Sequence, residues 1–257
     1  MKKIAVITGA SSGMGRDFLR QISREEKFDE IWAIARREDR LVELSKEVCV
    51  PIRAIPLDLT DEKSFEVYKS ILKEENPNVS LLVNASGFGK FALTEEISVE
   101  DSVGMVDLNC KAMVAITQLT LPYMKEGSHI LQFGSRSSFQ PTPYVNVYAA
   151  TKAFVLSYSR ALNVELKKRG IRVMATCPSW VSTEFFTRAT TPSDNAINYY
   201  DKVYKSEDVI RHTIKDLYHT KKDVSIYGLR LKFERILIKL LPHRLVMDMW
   251  LRMQKHK

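Results

Sequence analysis

An apolar run, Lys3–Thr8, ends in the turn Gly9-Ala10-Ser11-Ser12-Gly13-Met14-Gly15, and an amphipathic segment over Gly13–Glu26 follows at once. A buried strand that turns on glycines straight into a helix has few ways to continue. The helix must fold back over the strand and deliver the chain to a parallel neighbour. The rest of the sequence repeats that step. Strand-like runs at Glu30–Ala35, Ile52–Leu57, Leu81–Asn84, His129–Phe133, Arg172–Cys177 and Asp223–Tyr227 alternate with helical periodicity over Asp39–Val48, Thr60–Glu75, Val99–Met124 and Val147–Arg169. Thr60 reads as an N-cap ahead of Asp61 and Glu62. The pattern predicts an α/β fold, a single doubly wound parallel sheet with helices on both faces and ligands beyond the carboxyl ends of the strands. A length of 257 residues with 45% hydrophobic content suits one large domain.

The glycine turn carries chemistry as well as shape. Glycines let the backbone approach a phosphate closely, and the helix that follows offers unpaired N–H groups to the anion. The context of strand, loop and helix therefore points to a dinucleotide. Strand two ends at Ala35-Arg36-Arg37. A carboxylate there would accept from a ribose 2′-hydroxyl, whereas a guanidinium suits a 2′-phosphate. NADP(H) is the expected cofactor, with Arg36 as the main contact and Arg37 as the alternate; a solvated arginine pair is the competing reading.

Tyr148 and Lys152 stand four apart in Tyr148-Ala149-Ala150-Thr151-Lys152, at the start of a helical stretch. That spacing stacks a phenol and an ammonium on one helix face. The cation is expected to favour phenolate and lower the tyrosine's pKa, preparing it to exchange protons with an alcohol or a ketone.

The formal net charge is +8, but the last 30 residues hold eight Lys or Arg against Glu234 and Asp248. The charge thus belongs to a tail, which argues against nucleic acid as a partner of the main body. Cys49, Cys110 and Cys177 are odd in number and far apart, so neither a disulfide framework nor a zinc site is expected. The apolar run after Met1-Lys2-Lys3 is too short for a signal sequence. The expected location is cytoplasmic.

Taken together, these motifs resemble the short-chain dehydrogenase/reductase family, from the first strand to about Thr183. Residues 8–15 resemble its T-G-x-x-x-G-x-G loop, and Asp58-Leu59-Thr60 the segment whose acid contacts the adenine amino group. Asn84-Ala85-Ser86-Gly87 resembles N-N-A-G but departs at its second and third positions. Asn109 matches the family's helix asparagine. Ser135 precedes Tyr148 by thirteen residues, the family's spacing, and Gly134-Ser135 stands where the family has a double serine. Pro178-Ser179-Trp180-Val181-Ser182-Thr183 resembles P-G-x-V-x-T, with Ser179 in the glycine slot. The resemblance implies a Rossmann-type fold and a catalytic set of Asn109, Ser135, Tyr148 and Lys152. In that set Tyr148 is the general acid/base, and Lys152 tunes it and holds the nicotinamide ribose. Ser135 donates to the substrate oxygen, and Asn109 holds a relay water. The implied cofactor contacts are Gly9, Ser11, Ser12, Gly13, Met14, Gly15, Arg36, Arg37, Asp58, Leu59, Asn84, Ala85, Ser86, Tyr148, Lys152, Pro178, Val181 and Thr183. No metal is implied. A homodimer or homotetramer through the long helices bearing Asn109 and Tyr148 is implied as well.

Residues 1–228 are expected to form the catalytic domain, including a lid at about 184–203, and 229–257 a helical extension of it. A structural helix pair is the alternative for the lid. Phe88, Phe139, Tyr144, Phe185 and Phe186 are the expected apolar walls of a substrate pocket, with Phe91 and Pro141 nearby. An aromatic pocket points to a hydrophobic ketone or alcohol, such as a hydroxysteroid or a 3-oxoacyl derivative. The tail alternates leucines with basic residues around Pro242, which predicts two amphipathic helices. They either pack on the domain or a second subunit, roofing the pocket, or lie on an anionic membrane surface. Two functions compete: an oxidoreductase acting on a carbonyl/alcohol pair, and an NADP(H)-sensing or membrane-surface binding protein on the same fold.

Overall fold

The structure, a computed structural model, describes residues 1–190 and 196–256. Its strands are β1 (Lys3–Thr8), β2 (Glu30–Ala35), β3 (Ile52–Pro56), β4 (Asn78–Asn84), β5 (His129–Phe133), β6 (Arg172–Thr176), β7 (Trp180–Ser182), β8 (Val203–Lys205) and β9 (Val224–Ser225). The helices are α1 (Gly13–Glu25), α2 (Glu38–Ser45), α3 (Lys63–Glu75), α4 (Val99–Val106), α5 (Ala112–Thr120), α6 (Asn146–Glu165), α7 (Phe185–Ala189), α8 (Ser206–His219), α9 (Leu229–Leu240) and α10 (His243–Met253). Seven strands form one parallel sheet in the order β3-β2-β1-β4-β5-β6-β9, and β7 pairs with β8 in a small parallel annex.

The strands are buried on both faces, so their sequences are nearly continuous apolar runs. Alternate residues still serve different cores. Ala5 and Ile7 of β1 pack with Phe18, Leu19 and Ile22 of α1, Leu41 and Leu44 of α2, and Ile210, Ile214 and Leu217 of α8. Ile4 and Val6 face the opposite layer, with Tyr68 and Leu72 of α3, Ala112 and Ile116 of α5, and Leu162 of α6. The chain order reverses between β1 and β4, which opens a crevice at their carboxyl ends.

Several expectations need correction. Thr60 does not cap α3, which begins at Lys63; its N–H and hydroxyl instead donate to Asp58 Oδ1 at 3.0 and 2.7 Å, forming a local turn. The last strand shrinks to Val224–Ser225, and Gly228 precedes α9 with a φ of 94°. The expected helix over Val99–Met124 is interrupted by a wider π turn at Asp107–Lys111. Helix α8 has no counterpart in the sequence reading. Part of the expected lid, residues 191–195, lies outside the described residues.

Candidate active site

The β1–α1 turn is held tight by backbone contact. Gly9 has a φ of 69°, and a Cβ there would lie 2.7 Å from the Ser86 nitrogen. A Cβ on Gly15 would lie 2.4 Å from the Gly9 carbonyl oxygen. Both positions therefore require glycine. Ser12 precedes α1 without a side-chain cap bond, which leaves the first N–H groups of the helix facing the crevice.

A cavity of about 840 Å³ fills that crevice. Gly9, Ser11, Ser12, Gly13, Met14, Gly15, Arg36, Arg37, Asp58, Leu59, Ala85, Ser86 and Thr183 all line it. Its charged lining residues are Arg36, Arg37, Arg40, Lys90 and Arg188 against Asp58 and Glu184. Arg36 turns toward Asp58 at 3.5 Å. Arg37 reaches Ser11 Oγ and Glu184, each at 3.3 Å, and Arg40 holds Glu184 at 2.7 Å. The Arg40 guanidinium holds the Glu184 carboxyl below its usual range. Arg188 stacks on Phe88, 3.6 Å from the ring centroid. Burial first, and then the like charge of Arg36, lower its pKa, so the two cations share one field. Burial raises the Asp58 carboxyl, but the Thr60 bonds and then Arg36 outweigh it, leaving the pKa lowered. A glycine-floored cleft with a helix N-terminus and a surplus of guanidinium groups fits a phosphate-rich dinucleotide. Asn84 is absent from this lining because it is buried and donates to Thr117 Oγ1 at 3.0 Å.

A second, narrower cavity of about 80 Å³ adjoins the first. Met14, Thr183 and Phe185 line both. Ser135, Tyr148, Pro178, Val181, Phe186, Phe91, Trp180 and Trp250 complete much of its wall. Ser135 begins a short turn over Arg136–Phe139, its Oγ accepting from the Ser137 N–H at 3.2 Å. Tyr148 is buried in the first turn of α6, with its ring edge-on to Phe91 at 6.0 Å.

The electrostatics differ from the expectation. Burial pushes the Tyr148 phenol up to about 12, with the Ser135 hydroxyl acting the other way. Lys152 Nζ donates to the Phe133 carbonyl at 2.7 Å, and burial brings its own pKa down to about 8. The ammonium lies 5.6 Å from the Tyr148 ring centroid. Lys152 lines neither cavity; it sits behind their junction. Asn109, placed by the π turn, donates to Phe88 O at 2.9 Å and Thr151 Oγ1 at 3.0 Å, and accepts from Phe88 N at 3.0 Å. One lone pair of Oδ1 is left for a relay water.

Three expected substrate walls lie elsewhere. Phe88 is covered by Arg188 in the larger cavity. Phe139 packs toward Leu156 and Leu231 beneath Arg235. Tyr144, at a φ of 65°, stacks on His256 at 4.1 Å. Phe185 and Phe186 line the narrow cavity. The sequence reading missed Arg40, Lys90, Arg188, Trp180 and Trp250. Arg40 lies four residues after Arg36, in the first turn of α2, close enough in sequence to have been considered. Trp250 arrives from the tail, and no local pattern announces it.

The tail is a strap. Trp250 Nε1 donates to Pro143 O at 3.1 Å. Gln254, fully buried, accepts from the N–H groups of Asn198 and Tyr199 at 2.8 and 2.9 Å and donates to Tyr199 O at 3.1 Å. Arg136, beside Ser135, pairs with Asp201 at 3.1 Å and with Glu234 of α9 at 3.0 Å. The packing alternative for the tail thus describes one of its faces, and Trp250 closes the narrow cavity.

Comparison with known proteins agrees with this geometry. The family model for short chain dehydrogenase matches residues 3–194. Sulfoacetaldehyde reductase 2 of Chromohalobacter salexigens is 34% identical over 214 residues, 80% of this chain and 82% of the relative. The NADP-dependent 3-hydroxy acid dehydrogenase of Shigella flexneri is 31% identical over 225 residues, covering 86% of each. The solved short-chain dehydrogenase from Sphingobium yanoikuyae in complex with NADPH superposes with a TM-score of 0.78 at 25% identity, covering 96% of both chains. The chain belongs to the short-chain dehydrogenase family of oxidoreductases, enzymes that act on alcohol and carbonyl groups.

Proposed function

We infer that the protein is an NADP(H)-dependent oxidoreductase interconverting a ketone and a secondary alcohol on an apolar substrate. The observation that carries this reading is the junction of the two cavities at Met14, Thr183 and Phe185, with Ser135 and Tyr148 on the narrower wall. A bound nicotinamide dinucleotide supplies the hydride. Arg37, Arg40 and Ser11, with Arg36 beside them, are the candidates to hold its 2′-phosphate. Arg188 and Lys90, which also line the larger cavity, are proposed to meet the diphosphate common to NAD(H) and NADP(H). Tyr148, a neutral phenol at ordinary pH, gives its proton to the substrate oxygen in reduction. Ser135 donates a hydrogen bond to the same oxygen as charge builds there. Lys152 and Asn109 are positioning residues behind the tyrosine.

Two relatives carry names that state acidic substrates. The narrow cavity here argues for a different choice. Among its described lining residues the charged one is Arg136, which is already paired with Asp201 and Glu234. A carboxylate or sulfonate would find no unpaired cation, whereas Phe91, Trp180, Phe185, Phe186 and Trp250 offer apolar contact. The slim volume favours a 3-oxoacyl or aryl ketone over a fused-ring steroid unless α7 moves. Self-association is proposed through α4 and α6, where Val99, Val103 and Val106 form an exposed apolar row and Phe154 is also exposed.

The test is NADPH consumption over a panel of uncharged aryl ketones, 3-oxoacyl thioesters, ketosteroids and carboxylated or sulfonated carbonyls. Turnover that is best on the first two classes supports the reading. Preference for the acidic carbonyls would overturn the substrate class. NADPH binding with no turnover on any class would favour a sensor.

A further inference from the structure

One face of the tail remains open after the strap has been accounted for. Helix α9 buries Leu231, but Leu229, Phe233, Ile236, Leu237 and Leu240 are all exposed, with Leu229 at 84% and Leu240 at 75%. These positions fall on one side of a helix with 3.6 residues per turn, opposite Leu231. The usual arrangement is inverted, since the most apolar face of α9 points to solvent. Helix α10 adds Leu245 and Met249, exposed and one turn apart. Lys232 and Lys239 flank the α9 row, and Arg244, Arg252 and Lys255 are exposed around α10. The acidic side chains of this segment are Glu234 and Asp248, and Glu234 is already held by Arg136 and Arg230.

We propose that this face docks on an anionic lipid bilayer, with the leucines and Phe233 entering the headgroup boundary and the lysines and arginines meeting the lipid phosphates. Charge decides between the occupants. A second copy of the chain would bring the same cations face to face with only Asp248 to answer them, which costs energy at close range. An anionic surface answers all of them at once. No described helix is long and apolar enough to cross a membrane, so the contact is peripheral. The proposal does not depend on the substrate reading, because it rests on residues that touch neither cavity.

The test is co-sedimentation of the full chain with vesicles of phosphatidylglycerol and, separately, of phosphatidylcholine. Binding is expected on the anionic vesicles, about tenfold or more above the neutral ones, and weaker at high salt. Phe233→Glu with Leu240→Glu should cut anionic binding by about tenfold or more. Lys232→Glu with Lys239→Glu should remove most of the difference between the two lipids. An unchanged thermal midpoint and unchanged NADPH turnover verify that each variant is folded. Absence of binding to either vesicle overturns the proposal, as does binding that survives both pairs of substitutions. If Phe233→Glu with Leu240→Glu instead halves the sedimenting mass in the absence of lipid, the face belongs to a second copy and the proposal fails.

Discussion

At the scale of single residues, the cations lining the larger cavity fall into two sets. Arg37 sits with Ser11 and Arg40 on the β2 side, whereas Arg188 stands on Phe88 with Lys90 also lining the cleft. In the proposed function the former group holds the phosphate that distinguishes the two dinucleotides. Arg37→Asp should therefore weaken NADPH binding and leave NADH little changed or improved. Arg188→Ala should weaken both by a similar factor, roughly tenfold or more for the loss of a charge-assisted contact. Titration of each variant with both cofactors checks this. A selective loss of NADPH in Arg188→Ala would reverse the assignment. Arg36→Asp should move preference toward NADH as well, since Arg36 is paired with Asp58 much as Arg37 is with Glu184.

At the scale of elements, the strap formed by α10 and the residues after it ties the substrate side together. Gln254→Ala would leave the N–H groups of Asn198 and Tyr199 without their acceptor at a buried site. A cost of about 1–3 kcal/mol is expected, read as a lowered thermal midpoint. The KM for ketone should rise more than kcat falls, since Gln254 touches no reacting group. An unchanged midpoint and KM would show that the strap holds nothing. The same elements show where sequence is informative. β1, β2 and β5 have the predicted ends, because strands buried on both faces are unbroken apolar runs. Ser135 and the glycine turn lie just beyond the carboxyl ends of β5 and β1, and Tyr148 in the first turn of α6, where local motifs report position. Trp250, Gln254, Arg188 and Lys90 reach the site through long-range packing, which leaves no trace in local spacing. Phe139 and Tyr144 were misread for the converse reason: both are near Ser135 in sequence, but Phe139 is drawn under α9 and a left-handed turn sends Tyr144 to His256.

At the scale of the whole molecule, buried ionisable groups set the response to alkali. Burial raises Tyr148 to about 12 and Cys110 and Cys177 to about 11, and it also raises Tyr68 and Tyr218. Each holds its proton more tightly folded than unfolded, so each contributes stability that falls as pH climbs from its unfolded value, 9.0 for cysteine or 10.0 for tyrosine, toward its folded one. Lys152 acts in the opposite sense. Its folded value near 8 lies below the ordinary lysine value of 10.5, so the cost of burying its charge is greatest below pH 8 and is relieved as pH rises through that interval. These groups together outweigh Lys152 above about pH 9, and the thermal midpoint should decline steadily there. A midpoint that is flat or rising through the alkaline range would show that these side chains are not buried as described. The central claim, that the neutral Tyr148 phenol donates the proton that completes ketone reduction, is tested most directly by Tyr148→Phe. The measurement is NADPH consumption with an accepted ketone, beside NADPH binding in the same preparation. The account predicts turnover reduced by about 10²–10⁴-fold with the binding constant nearly unchanged, whereas turnover close to that of the unaltered protein would contradict it.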